Sequence, residues 1–131
     1  MISIETIKQF IVYNLIGIVN TLVGFSLVFF FLFVGMSPMV SNFIGYLLGV
    51  ILSFFLNKRF TFIKYKIDNF VIIAFFSILF FAYLVNAVIF YVGINSFNLS
   101  PYVAQIISGV VYTLLSFTLM KTLVFVPSRE K

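Results

Sequence analysis

The chain has 131 residues, of which 63% are hydrophobic and only 8% charged, with eight Lys/Arg against three Asp/Glu for a formal net charge of +5. A soluble domain carries about 25% charged residues, so eleven charged side chains cannot clothe a globule of this size, and the chain belongs in a bilayer. Without His or Cys, thiol chemistry, disulfides, zinc sites and histidine acid–base catalysis are excluded; neither a catalytic role, a metal nor a cofactor is expected.

In chain order, Ile4, Ile7, Phe10 and Ile11 recur at helical spacing around Glu5, Lys8 and Gln9. This fits either a short interfacial helix leading into the membrane or a frayed terminus. Four uncharged apolar runs follow, at 10–34, 39–56, 70–92 and 102–120. As helices they reach roughly 37, 27, 34 and 28 Å, against a hydrocarbon core of about 30 Å. Barrel strands would alternate, whereas these runs are apolar on every face. The first run is too long for a signal-peptide core and no small-residue cleavage pattern follows it, so it is expected to stay in the mature chain. The fold class read here is all-α integral membrane, one four-helix domain.

Charge placement sets the topology. Lys8 precedes the first run; Lys58, Arg59, Lys64 and Lys66 follow the second; Lys121, Arg129 and Lys131 close the fourth. The connections at 35–38 and 93–101 carry no charge. All eight cations thus fall on one side, which the positive-inside rule makes cytoplasmic, with both termini inside. Tyr91 and Tyr102 suit the outer interface and Tyr65 the inner one.

Sliding the chain by 63 residues lays 36–62 on 99–125 with ten of 27 positions identical, among them Ser37/Ser100, Pro38/Pro101, Ser53/Ser116, Lys58/Lys121 and Phe62/Phe125. Asn42 falls on Gln105, and Val19-Asn20 resembles Val85-Asn86 at an offset of 66. This predicts two helical hairpin repeats, about 10–62 and 70–125, in parallel orientation about an axis along the membrane normal. Ser37 and Ser100 are expected to cap their helices, with Pro38 and Pro101 at the first helical position.

Small and polar residues lie inside the spans. Gly45-x-x-x-Gly49-x-x-x-Ser53 makes one face of the second, and Asn14, Gly17, Asn20, Thr21 and Gly24 stripe the first. Ala82 and Asn86 mark the third; Gln105, Ser108 and Ser116 mark the fourth. Gly17, Gly24, Gly45, Gly49 and Ser53 are expected to let helices approach closely. The amides and Thr21 fit two roles: interhelical glue, or a polar path for a headgroup formed by Asn14, Asn20, Thr21, Asn42, Asn86 and Gln105. No span contains a charged residue, which argues against proton-coupled transport by an intramembrane carboxylate.

The segment 57–66 interleaves cations with aromatics. It fits a topology determinant, a general attraction to anionic lipid, or a grip by Asn57, Lys58 and Arg59 on one phosphate, with Lys121 as the counterpart in the second copy. The helix C-terminus disfavours an anion, so such a grip must come from side chains. Nucleic acid is not expected at a loop pinned to a membrane.

Gly17-x-x-Asn20-Thr21 and Ser53-Phe54-x-x-Asn57-Lys58-Arg59-Phe60-Thr61-Phe62 resemble the two signatures of the GtrA-like family of small four-span membrane proteins. Phe60 stands where that family often has Trp or Tyr, and Met120-Lys121-Thr122 in the fourth span lacks the Asn and the second cation. The resemblance implies translocation of a polyprenyl-phosphate-linked sugar across the cytoplasmic membrane for cell-surface polysaccharide, or a non-transporting anchor for a membrane glycosyltransferase. A small-solute or ion transporter is the third reading. Four helices scarcely enclose a path for a sugar, so a homodimer or hetero-complex in contact with membrane lipids is expected.

Overall fold

The computed structural model describes residues 4–60 and 67–124. The described residues form four helices and no strand: α1 (Ile4–Phe33), α2 (Pro38–Phe60), α3 (Asn69–Asn95) and α4 (Pro101–Leu123). All four contain stretches long and apolar enough to cross a membrane. Lys64, Lys66, Tyr65, the Thr61-Phe62 end of the second signature, the Phe62/Phe125 pair, Arg129 and Lys131 lie outside the described residues, as do the side chains of Glu5, Gln9 and Phe10.

The residues ahead of the first run are helical from Ile4 and lead straight into the span, so they are not a frayed end. From Ile4 onward they join the span in one α1 of 30 residues, about 45 Å long and thus roughly 15 Å longer than a hydrocarbon core. The apolar positions of this first stretch keep helical spacing and no Gly or Pro interrupts them, so nothing in the sequence breaks the helix.

Short turns join α1 to α2 and α3 to α4. Gly35, at φ 94°, ends α1; its N–H reaches the Leu32 carbonyl at 3.1 Å while the Met36 N–H reaches that of Phe31 at 3.0 Å. This is the Schellman arrangement, which needs a left-handed residue. Asn98, at φ 52°, takes the corresponding place after α3. Ser37 and Ser100 accept from the N–H groups of Val40 and Val103 at 3.4 and 3.3 Å, with Pro38 and Pro101 opening the helices. Asp68 caps α3 by accepting from the Val71 N–H at 2.9 Å, placing an acid at the positive end of a helix. Gly35 and Asn98, the capping Ser37 and Ser100, and Pro38 and Pro101 correspond at the 63-residue offset.

The helices pack closely within each hairpin, α1 on α2 and α3 on α4, and more sparsely across the α1–α4 and α2–α3 seams. Thr21 faces Thr113 and Phe25 faces Gly109, pairs that step down α4 as they step up α1, so these helices are antiparallel. One end of the bundle holds the two short turns; the other holds Lys8, Lys58, Arg59 and Lys121 and is called here the basic end. Near the turns, Val28 packs on Gly45, Phe25 on Gly109 and Ala104 on Gly93. Toward the basic end a cluster of Val71, Phe75, Ile78, Leu79, Met120 and Val124 fills the space among α2, α3 and α4. It does not reach α1.

Candidate functional site

The intramembrane amides divide into two groups. Asn42, Asn86 and Gln105 are fully buried and join α2, α3 and α4 in a closed ring. The Asn42 amide nitrogen donates to Asn86 Oδ1 and to Gln105 Oε1, each at 3.0 Å. The Asn86 and Gln105 amide nitrogens both donate to the Tyr46 hydroxyl, at 2.8 and 3.1 Å. Tyr46 is clasped by the rings of Tyr112 and Tyr83 at centroid distances of 4.7 and 5.6 Å. A polar group sunk in hydrocarbon is costly unless bonded, and here the three amides and the hydroxyl bond one another. Of the two roles expected for Asn42, Asn86 and Gln105, these bonds fit interhelical glue, with Asn42 Oδ1 left buried and without a partner among the described residues.

Asn14, Asn20 and Thr21 meet a different environment. They line a cavity of about 580 Å³ together with Gly17, Gly24, Gly49, Ser53, Asn57 and Thr113. Behind α1, the cavity is walled by Phe75 and Leu79 of α3 and by Tyr112, Ser116 and Met120 of α4. It exists because the apolar cluster stops short of α1 and because small residues line α1 and α2. A Cβ built at Gly17, Gly24 or Gly49 would meet nothing within 4 Å, whereas at Gly45 it would collide with Val28. Of the residues expected to bring helices together, Gly45 does so. Gly17, Gly24 and Gly49 line the cavity with nothing within 4 Å of a built Cβ; Ser53 lines it too, and Gly45 borders it as well as meeting Val28.

Within this space Thr21 Oγ1 donates to the Gly17 carbonyl at 2.8 Å and lies 3.3 Å from Thr113 Oγ1. Asn20 Oδ1 is buried with no hydrogen-bond partner among the described residues, an acceptor beside the cavity. Asn57 is buried, its amide nitrogen donating to the Ser53 carbonyl at 2.9 Å and to Ser53 Oγ at 3.2 Å. Largely apolar walls with a few placed polar groups are the usual make-up of a ligand pocket.

Lys58, Arg59 and Lys121 are exposed at the basic end, in the last turns of α2 and α4. Lys58 follows the cavity-lining Asn57 and Lys121 follows Met120, while the cations themselves are not part of the lining. Arg59 lies 5.7 Å over the ring of Phe60, a cation–π contact that leaves its planar edge for other partners.

Sequence reasoning passed over Tyr46, Thr113 and Phe25. Tyr46 had a readable signal, since a hydroxyl in mid-span must find a partner. Thr113 lies eight residues past Gln105 and thus on the same helical face. Phe25 had none, for it is one ring in a run of many and only the glycine opposite selects it.

A family model described as GtrA/DPMS, transmembrane domain, matches residues 12–125. No curated protein and no solved structure matches the chain.

Proposed function

The chain belongs to the GtrA/DPMS transmembrane family, and from that premise we propose that it moves a polyprenyl-phosphate-linked sugar across the cell membrane for cell-surface polysaccharide synthesis. One observation carries the reading. The cavity gathers hydrogen-bonding groups of Asn14, Asn20, Thr21, Ser53 and Asn57, and its lining runs to Asn57 and Met120, the residues that precede Lys58, Arg59 and Lys121 in the last turns of α2 and α4. A sugar headgroup needs donors and acceptors inside the bilayer, and its phosphate needs cations where it enters. The ring of Asn42, Asn86, Gln105 and Tyr46 lies on the side nearer the turns, which supports entry from the basic side.

The charge asymmetry supports a cytoplasmic basic side with both termini inside. The hydrogen bond between Asn42 and Gln105, residues 63 apart, and the left-handed Gly35 and Asn98 at the same separation support two parallel hairpin copies about a pseudo-two-fold axis. No span carries a coupling acid, so movement down a gradient is the simplest driving force.

The test is vesicle reconstitution with a labelled polyprenyl-phosphate sugar. Transbilayer movement should exceed that of protein-free vesicles, and Lys58→Gln with Arg59→Gln should lower it by about tenfold, or about 1.4 kcal/mol. Movement no faster than in protein-free vesicles ends the proposal.

A second reading, a non-transporting subunit of a membrane glycosyltransferase, is favoured by an apolar groove of about 520 Å³ on the α2–α3 face, lined by Phe43, Leu47, Phe76 and Phe80. A partner helix would fill such a face. Co-purification of the enzyme with wild type but not with Leu47→Ser supports it; transport by the isolated chain removes it.

A further inference from the structure

Resting on the lipid-linked-sugar reading, we propose that the lipid tail lies outside the cavity and joins its headgroup through a lateral portal between α1 and α4. The portal is framed by Ile18 and Leu22 on α1 and Leu114 on α4. A lipid whose head occupies an internal cavity must pass its tail through the wall, because an isoprenoid chain belongs in hydrocarbon. Ile18, Leu22 and Leu114 all line the cavity and are also 57%, 62% and 62% exposed. Residues that belong to both surfaces mark where the wall opens. On α1 these apolar side chains border the polar stripe of Asn14, Gly17 and Thr21, the arrangement that a head–tail junction requires.

Near the turns the seams within the hairpins are closed: Val28 seats on Gly45 and Ala104 on Gly93. The α2–α3 seam has the apolar groove outside it, but Tyr46, Val50 and Leu79, which border both spaces, stand between groove and cavity. Tyr46 is fixed there by two amide donors and Leu79 is buried in the apolar cluster. Across α1–α4, the hydroxyls of Thr21 and Thr113 meet at 3.3 Å and Phe25 packs on Gly109 closer to the turns. Beyond Thr21 toward the basic end, Gly17 meets nothing within 4 Å of a built Cβ. As the head moves along the inside, the head–tail junction must slide along this seam and part the two threonines.

Two experiments test this. The wild-type chain is reconstituted with a polyprenyl phosphate bearing a diazirine on the isoprene units next to the phosphate, and adducts are mapped by mass spectrometry. Adducts are expected on Ile18, Leu22 and Leu114, competed by unlabelled polyprenyl phosphate and not by phosphatidylglycerol. Adducts on Phe43, Leu47, Phe76 or Phe80 instead overturn the portal while leaving lipid-sugar transport standing; competition by phosphatidylglycerol to the same extent overturns both. Because the chain has no Cys, the pair Thr21→Cys and Thr113→Cys can be bridged without background. Oxidation should slow transbilayer movement at least tenfold, with the photoadducts retained, and reduction should restore it. Full movement by the bridged protein overturns the portal.

Discussion

Gly45 and Gly49 sit one turn apart on the same face of α2, yet one is filled against Val28 and the other faces open space. The amides divide along the same line. Toward the turns, Asn42, Asn86 and Gln105 bond one another and Tyr46, with Asn42 Oδ1 left without a partner among the described residues; toward the basic end, Asn14 and Asn20 line a cavity, and Asn20 Oδ1 likewise has no partner among those residues. Residue type is the same in the two halves. What differs is the opposite wall: α2, α3 and α4 converge near the turns, while the apolar cluster of α3 and α4 falls short of α1 near the basic end. In a membrane bundle a small or polar residue is therefore glue only where a neighbour reaches it.

Substitutions can break that contrast, starting with the tight half. Gly45→Leu should be the most damaging, since even its Cβ would overlap the Val28 side chain and lie 3.3 Å from the Val28 backbone nitrogen. Overpacking of this kind costs about 3 kcal/mol at its upper end, read as a lowered midpoint of unfolding in detergent. A midpoint equal to wild type would mean that α1 and α2 do not meet there. Asn42→Ala comes next. It removes the donor shared by Asn86 and Gln105, and a loss of about 1–2 kcal/mol is expected, because buried acceptors lose their partner while membrane hydrogen bonds are individually modest. Asn42→Gln, which keeps the donors, should recover part of it.

Much of this architecture is written openly in the chain. Uninterrupted apolar runs, uncharged short connections, and Ser-Pro pairs at 37–38 and 100–101 give four helices and two tight turns, because each signal acts locally. Asn42 and Gln105 could be matched by their spacing, although nothing in the spacing says that they touch. Periodicity assigns a residue to a face but is silent on what stands across from it. That is why Gly17, Gly24 and Gly49 read as contacts, and why one set of six polar residues hid two environments. The extent of α1 was obscured by Glu5 and Lys8, whose charges suggest an interface while the backbone continues as helix. Tyr46 escaped because tyrosine is grouped with the hydrophobic residues even when its hydroxyl is the acceptor of a buried ring.

In the open half the expected effects are smaller for stability and fall on transport. Asn20→Ala should lower movement of the lipid-linked sugar about tenfold, or about 1.4 kcal/mol, with the unfolding midpoint within about 0.5 kcal/mol of wild type. Loss of both together would make Asn20 glue like Asn42. Gly49→Ala should do least. Its methyl group meets nothing within 4 Å, and replacing a mid-helix glycine contributes up to about 1 kcal/mol through backbone entropy. Unfolding should therefore be unchanged or shifted upward, and movement altered by no more than about twofold, because one methyl removes little from a cavity of about 580 Å³. Gly45→Ala, one turn away, must make room against Val28 and should move the midpoint the other way. Opposite signs from the same added methyl on adjacent turns of one face follow only if the bundle is closed above and hollow below; equal signs would mean that α1 lies against α2 along its whole length and that the cavity is absent.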